Sequence, residues 1–121
     1  MKTIRIESKK DLDKAHTKMI KSLFEIYILW ALSKKKMHGY ELMKEMTHGQ
    51  AVNIKMSPAT MYPVLNSLTK KGLLGYKTES TGKRKRKVYY TTMKGKAYIL
   101  MAKKLFFQRG MRKKFFEEML K

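Results

Sequence analysis

Just past Gly72 the spacing of apolar residues switches from a helical period to a strand period, and few folds of this length accommodate such a switch. Before it, Met61, Val64, Leu65 and Leu68 recur at three- and four-residue intervals and predict one apolar helix face. Ser57 suits an N-cap whose hydroxyl accepts a backbone N–H of the first turn, and Pro58 suits the first helical position. Gly72 supplies the stop. After it, Leu74, Tyr76 and Thr78 alternate with Gly75, Lys77 and Glu79, and Val88 and Tyr90 alternate with Tyr89 and Thr91. Between these runs lies Ser80-Thr81-Gly82-Lys83-Arg84-Lys85-Arg86-Lys87, so the pair reads as a two-stranded hairpin with a basic, flexible, glycine-containing tip.

Upstream, two further helices are expected. The first runs from about Asp13 to Ser33, with Asp11 and Asp13 at its N-terminal end, Met19, Leu23, Ile26, Tyr27 and Trp30 as its apolar stripe, and Lys34 to Lys36 closing it. The second runs from near His38 to about Thr47 with Tyr40, Leu42, Met43 and Met46 as apolar positions, and Gly49 ends it. Downstream, Thr92 to about Lys121 forms a long helical pattern that Gly110 kinks or splits. The order helix, helix, helix, two-stranded ribbon, helix is a winged helix-turn-helix, mainly α (α+β), in a single compact unit. Residues 1–92 form the winged-helix part with an N-terminal extension, and residues 93–121 a C-terminal dimerisation helix.

Charge narrows the function. Twenty-nine Lys and Arg against nine Asp and Glu leave a formal +20, and no acidic residue occurs between Ser80 and Phe116. A lysine-rich proteome would raise Glu alongside Lys, so the imbalance favours a nucleic-acid partner over a general basic bias. The longest apolar run, Ile26 to Leu32, is seven residues, against the roughly 20 that a spanning helix needs. A cytoplasmic protein with no membrane contact is expected, without a secretory segment at Met1 to Lys14 and, lacking cysteine, without disulfides or thiolate metal sites. Catalysis finds no footing: His16, His38 and His48 are scattered and no glycine-rich phosphate loop is present, so no enzyme, cofactor or metal is expected. His38 and His48 with Glu41 and Glu45 can be forced into a metal set, but helix capping or exposure explains them more simply.

On a helical wheel the third helix turns Ala59, Pro63, Asn66 and Lys70 away from its apolar face, flanked by Tyr62 and Ser67. That narrow polar face suits the major groove, about 12 Å wide, where Asn binds adenine through two hydrogen bonds. An ordinary solvated helix face is the plainer alternative, and the basic ribbon immediately downstream is what tips the balance. Its cations suit phosphates or a narrow minor groove. Lys34, Lys35, Lys36 and Lys55 are further phosphate candidates, against the commonplace of lysines at helix ends. Pro63 lies well inside the helix, where propensity does not account for it; either the helix bends there or its first turns are short. The last helix carries Tyr98, Met101, Ala102, Leu105, Phe106, Phe115 and Phe116 amid six Lys or Arg from Lys103 to Lys114, more apolar surface than a lone helix keeps in water. A partner helix explains it better than a membrane surface or the chain's own core.

Met37-His38-Gly39-Tyr40-Glu41-Leu42 resembles the "hGYeL" segment opening the second helix of the PadR-type (phenolic-acid-responsive) repressors. Ser57 to Leu65 is similar to their recognition helix with its Thr and Tyr-Pro, and Lys71-Gly72-Leu73-Leu74 to the "eGli" leading into the wing. Arg86 to Thr92 followed by Lys94-Gly95 is similar to "rkyYxlTxxG". The resemblance covers roughly residues 20 to 100 and accounts for Pro63, since Tyr-Pro is habitual there. It implies a homodimeric repressor on a pseudo-palindromic operator in double-stranded DNA. Thr60, Tyr62 and Asn66 would lie in the major groove with Ser57, Pro63, Ser67 and Lys70 alongside, Lys83, Arg84, Lys85 and Arg86 at the wing tip, and the last helix as dimer arm. Ala59 stands where the family commonly has Gly. Some members bind flat aromatic drugs against a tryptophan of the last helix; the only tryptophan here is Trp30 in the first helix, so that site does not carry over and a small-molecule effector stays unassigned. The rival reading from charge alone is a sequence-tolerant chromatin-like or RNA-binding protein.

Overall fold

The computed structural model describes residues 8–49, 57–108 and 118. Helix α1 spans Lys9–Lys34, starting earlier than the acids at Asp11 and Asp13 suggest, because Ser8 is the N-cap and its Oγ accepts the Asp11 N–H at 3.2 Å. It ends where Lys35 turns extended, with the Lys35 N–H still reaching the Ala31 carbonyl. The buried face is Ile28, Leu29, Ala31 and Leu32, with Phe24 and Tyr27 packed against it. Leu23 and Trp30, expected on that face, are 52% and 40% exposed, and the side chain of Met19 lies outside the described residues. The run Ile26 to Leu32 is apolar on every side, so its sequence does not set the phase of the helix; the elements packed around it do.

A two-residue strand, β1 (Met37–His38), follows and leads at once into α2 (Gly39–His48). Leu42, Met43 and Met46 of α2 are buried, while Tyr40, expected among them, points outward at 57% exposure. Helix α3 (Pro58–Lys70) runs unbroken through Pro63 and buries Met61, Leu65 and Leu68 completely. Each such side chain contributes about 1.5–3 kcal/mol by leaving water. Ser57 is its N-cap residue by backbone, its carbonyl accepting from Thr60 and Met61. Its hydroxyl does not cap, contrary to expectation; it lies 3.1 Å from the Thr60 hydroxyl, and the two polar side chains satisfy one another.

The end of α3 is a Schellman turn. The Leu73 N–H reaches back to Leu68 O and the Gly72 N–H to Thr69 O, each at 3.0 Å, with Gly72 at φ +77. Strand β2 (Leu74–Thr81) begins directly after it and pairs antiparallel with β3 (Arg84–Thr91), in register from Leu74↔Thr91 to Thr81↔Arg84. Only Gly82 and Lys83 remain for the turn; Gly82 at φ +64 and Lys83 at negative φ have the signs of a type II′ hairpin. The sheet has three strands in the order β1-β3-β2, not the two expected, because Met37 and His38 pair with Tyr89 and Val88.

Thr92 then caps α4 (Met93–Gln108), its Oγ1 accepting the Gly95 N–H at 3.1 Å while its hydroxyl donates to the Gly72 carbonyl at 2.7 Å. Helix α4 packs against α1, with Tyr98 and Ile99 against the core. Buried Thr91 donates to the Leu29 carbonyl at 2.6 Å, joining the end of β3 to α1. The expected kink at Gly110, and the helix beyond Gln108 except residue 118, lie outside the described residues.

Gly95 sits where α4 crosses the Leu73 peptide. A Cβ there would collide with the Leu73 carbonyl oxygen and stand 2.6 Å from Thr91 Cγ2, leaving backbone no room. Gly95→Ala should therefore cost roughly 1–3 kcal/mol or more, lowering Tm by about 5–15 °C in thermal melts followed by circular dichroism. A melt superimposable on the wild type contradicts this packing.

Candidate nucleic-acid interface

The free face of α3, the start of α2 and the edge of β3 enclose one open cleft of about 810 Å³. Tyr62 and Asn66 line it from α3, one turn apart on the same face. His38, Gly39 and Tyr40 line it from the β1–α2 junction, and Arg84, Lys85, Arg86, Lys87 and Tyr89 from β3. Tyr62 and Asn66 of α3 and the cations of β3 thus lie on the same side of the molecule.

The other residues picked from the sequence are distributed around this cleft. Ser57, Thr60, Pro63 and Lys70 are exposed on α3 and Ser67 is half-buried. Lys83 is exposed in the hairpin turn. The wing tip is not a flexible loop: Arg84 to Lys87 belong to a paired strand, so their side chains alternate between faces. Lys85 and Lys87 share a face with Tyr89 and, across the ladder, with Ser80, Thr78 and Tyr76; Arg84 and Arg86 share the other with Val88, Thr81, Glu79 and Lys77. On the first face Lys87 Nζ lies 4.6 Å from the Tyr76 ring centroid, and the Tyr76 and Tyr89 rings are 5.9 Å apart. Burial first, then the neighbouring Tyr62 and Tyr76, push the Tyr89 hydroxyl above its ordinary pKa.

Lys36 does not join α3. It lines a separate depression of about 320 Å³ with Lys77, Glu79, Val88 and Tyr90. Lys35 is exposed, Lys34 lies 5.2 Å from the Trp30 ring centroid, and Lys55 is outside the described residues. On α4, Tyr98 packs against the chain's own core, Ala102 is half-buried, and Met101 and Leu105 are exposed. The side chain of Phe106, and Phe115 and Phe116 altogether, lie outside the described residues.

Sequence reading does not bring His38, Gly39, Tyr40 and Tyr89 to the site, and it counts Lys87 in the basic wing run without choosing it among the four wing contacts. The strand alternation that places Lys87 beside Lys85 is the available signal; nothing local marks the β1–α2 junction as part of the cleft. His38 is fully occupied by its own helix. Its Nδ1 accepts the Glu41 N–H at 3.2 Å and its Nε2 lies 2.8 Å from Glu41 Oε1, so a neutral ring protonated on Nε2 satisfies both. Among the described residues no cluster of three His, Asp or Glu is placed to hold a metal, and no helix is long and apolar enough to cross a membrane.

Comparison with known proteins places the fold in a family. Residues 28–100, more than half of the chain, match the model of the transcriptional regulator PadR-like family. An uncharacterised protein of Lysinibacillus sphaericus is 30% identical over 82 residues, covering 67% of this chain and 75% of that protein. A PadR-like transcriptional regulator of Bacillus cereus is 27% identical with a TM-score of 0.66, covering 86% of this chain and 97% of the other. A PadR-like transcription factor of Bacteroides fragilis shares the fold at 23% identity and a TM-score of 0.69, covering 88% and 95%.

The His38 cap is testable by itself. His38→Ala should lower stability by about 1 kcal/mol, and His38→Asn, which offers an equivalent acceptor to the Glu41 N–H, should recover most of it in urea unfolding. Equal destabilisation by both variants would show that the ring acts by packing and not as an acceptor.

Proposed function

Because the chain belongs to the PadR-like family of transcriptional regulators, we propose that it reads its DNA as a homodimer with α3 in the major groove and the wing on the flanking backbone or minor groove, and that it represses. DNA binding and transcriptional regulation follow from the family; the residue roles, the dimer and the sign of regulation are our reading. The observation that carries it is the shared cleft, which puts Asn66 and Tyr62 opposite a strand bearing Arg84 to Lys87. Asn66 hydrogen-bonds a base edge, adenine by preference, and Tyr62 and Thr60 contact bases or phosphates beside it. Ser57, Pro63, Ser67 and Lys70 adjoin the same groove. Lys83, Arg84, Lys85 and Arg86, with Lys87, neutralise phosphates on the flank, and Lys35 and Lys36 approach the backbone only outside the cleft.

The dimer is supported by the apolar surface that α4 leaves uncovered. Met93, Leu100, Met101 and Leu105 recur at helical spacing and are all exposed, Met93 at 81%. A second copy of the same helix buries such a stripe symmetrically, and two copies of α3 then face successive major grooves about one turn of DNA apart. Repression follows from occupying that site.

Selection of bound fragments from random duplex DNA at about 150 mM salt should yield a two-fold symmetric motif. Asn66→Ala should then cost about 1–3 kcal/mol on that motif and relax preference at one position of each half-site. Replacing Lys83, Arg84, Lys85 and Arg86 together with Ala should weaken binding to every sequence and flatten the log–log salt slope by about 0.9 for each phosphate no longer neutralised. No enriched motif points instead to a sequence-tolerant packaging protein, and full-strength binding by the fourfold variant removes the wing from the interface.

A further inference from the structure

Gly39 opens α2 and is buried, yet nothing in its own backbone demands glycine. Its φ is not in the left-handed region, and alanine is the better helix former by about 1 kcal/mol. What crowds this position is Tyr62. A Cβ on Gly39 would stand 3.0 Å from Tyr62 Cε1, 3.1 Å from its hydroxyl oxygen and 3.2 Å from Cζ, inside the roughly 3.5–4.0 Å of an ordinary carbon contact. The phenol edge therefore rests on the bare α-carbon of Gly39. Tyr62 is nevertheless 41% exposed, because the rest of its ring faces the cleft it shares with Asn66.

We propose that Gly39 is a positioning residue for DNA readout: by carrying no side chain it lets Tyr62 pack onto the start of α2, and so fixes where the Tyr62 hydroxyl enters the cleft beside Asn66. The inference rests on the reading of α3 as the recognition helix. Gly39 touches no base itself; it acts through Tyr62. Any side chain at 39 tilts the ring toward the cleft, displacing the hydroxyl by a few tenths of an ångström for Ala and further for Val. A neighbour of Asn66 displaced that way obstructs the approach of the base edge, since groove contacts require hydrogen bonds of about 2.7–3.2 Å.

The test is a double-mutant cycle on the full chain, with binding to the duplex most enriched from random sequence followed by fluorescence anisotropy. Gly39→Ala should weaken binding by roughly tenfold and Gly39→Val by more, while Tm stays within about 3 °C of the wild type, equivalent to well under 1 kcal/mol. In a Tyr62→Ala background, where no ring remains to displace, Gly39→Ala should be silent. A Gly39→Ala variant too unstable to assay overturns the proposal, because the contact would then serve stability and not readout. Unchanged binding by stable Gly39→Ala overturns it, as does equal weakening in both backgrounds, which would place the effect in α2 itself. Wild-type binding by Tyr62→Ala alone overturns the proposal and leaves the reading of α3 standing; failure of that reading is distinguishable, because it appears as wild-type binding and preference in Asn66→Ala before residue 39 is altered.

Discussion

One peptide group fixes the relation between α3 and the hairpin, the two parts of this chain proposed to grip DNA. The Leu73 carbonyl, in the short connection between α3 and β2, accepts from the Thr92 N–H at 3.1 Å, shares the Thr92 hydroxyl proton (also 3.1 Å) with the Gly72 carbonyl, and lies under Gly95 of α4. The same connection holds Gly72 in the left-handed conformation that ends α3. With α3 and β2 separated only by Lys71, Gly72 and Leu73, there is no slack for the wing to move independently of the helix. Lys94 adds a hydrogen bond at 2.9 Å to the Lys71 carbonyl from the other side. The Thr-x-x-Gly spacing of Thr92 and Gly95 thus has a plain physical content: the threonine caps α4 and grips the turn, and the glycine clears the space for it.

That seam explains why the region from Ser57 to Thr91 is legible in the sequence and other regions are not. Pro58, Gly72 and Gly82 act locally, each through its own backbone, so α3 and the hairpin can be located without tertiary information. Strand β1 is invisible because two residues carry no period; Met37 and His38 become a strand only by pairing with Tyr89 and Val88. The phase of α1 is hidden for a related reason. In a run apolar on all sides, contacts with β3 and α4 decide which residues are covered, and they cover Ile28, Leu29 and Leu32 rather than Leu23 and Trp30. The wing tip reads as a flexible loop because a run of five cations beside Gly82 shows no apolar alternation, yet pairing with β2 keeps Arg84 to Lys87 extended. Tyr40 and Gly39 join the cleft through the β1–α2 junction, and no local signal announces such a placement.

The charge distribution and the fold act together. A formal +20 on 121 residues opposes a compact chain, and the strand alternation in β3 spreads the densest run over two faces instead of one. Glu79 stands opposite Arg86 on the outer face, whereas the face with Lys85 and Lys87 carries the aromatic rings of Tyr76 and Tyr89 and no acid. Positive charge over aromatic rings, beside a helix that turns Tyr62 and Asn66 toward the same cleft, suits a phosphate-lined groove better than it suits water. Among the described residues, no such companion helix lines the outer depression at Lys36 and Lys77.

The chain contains no cysteine, so single cysteines introduced at Lys70 on α3 and at Lys85 on β3 can each carry a DNA-cleaving iron chelate without background. On one selected duplex, the account predicts cleavage from both positions within the same half-site, offset by roughly half a helical turn as expected for adjacent grooves. Cleavage from Lys85 scattered along the duplex while that from Lys70 is focused, or the reverse, would mean that helix and wing do not grip the DNA together.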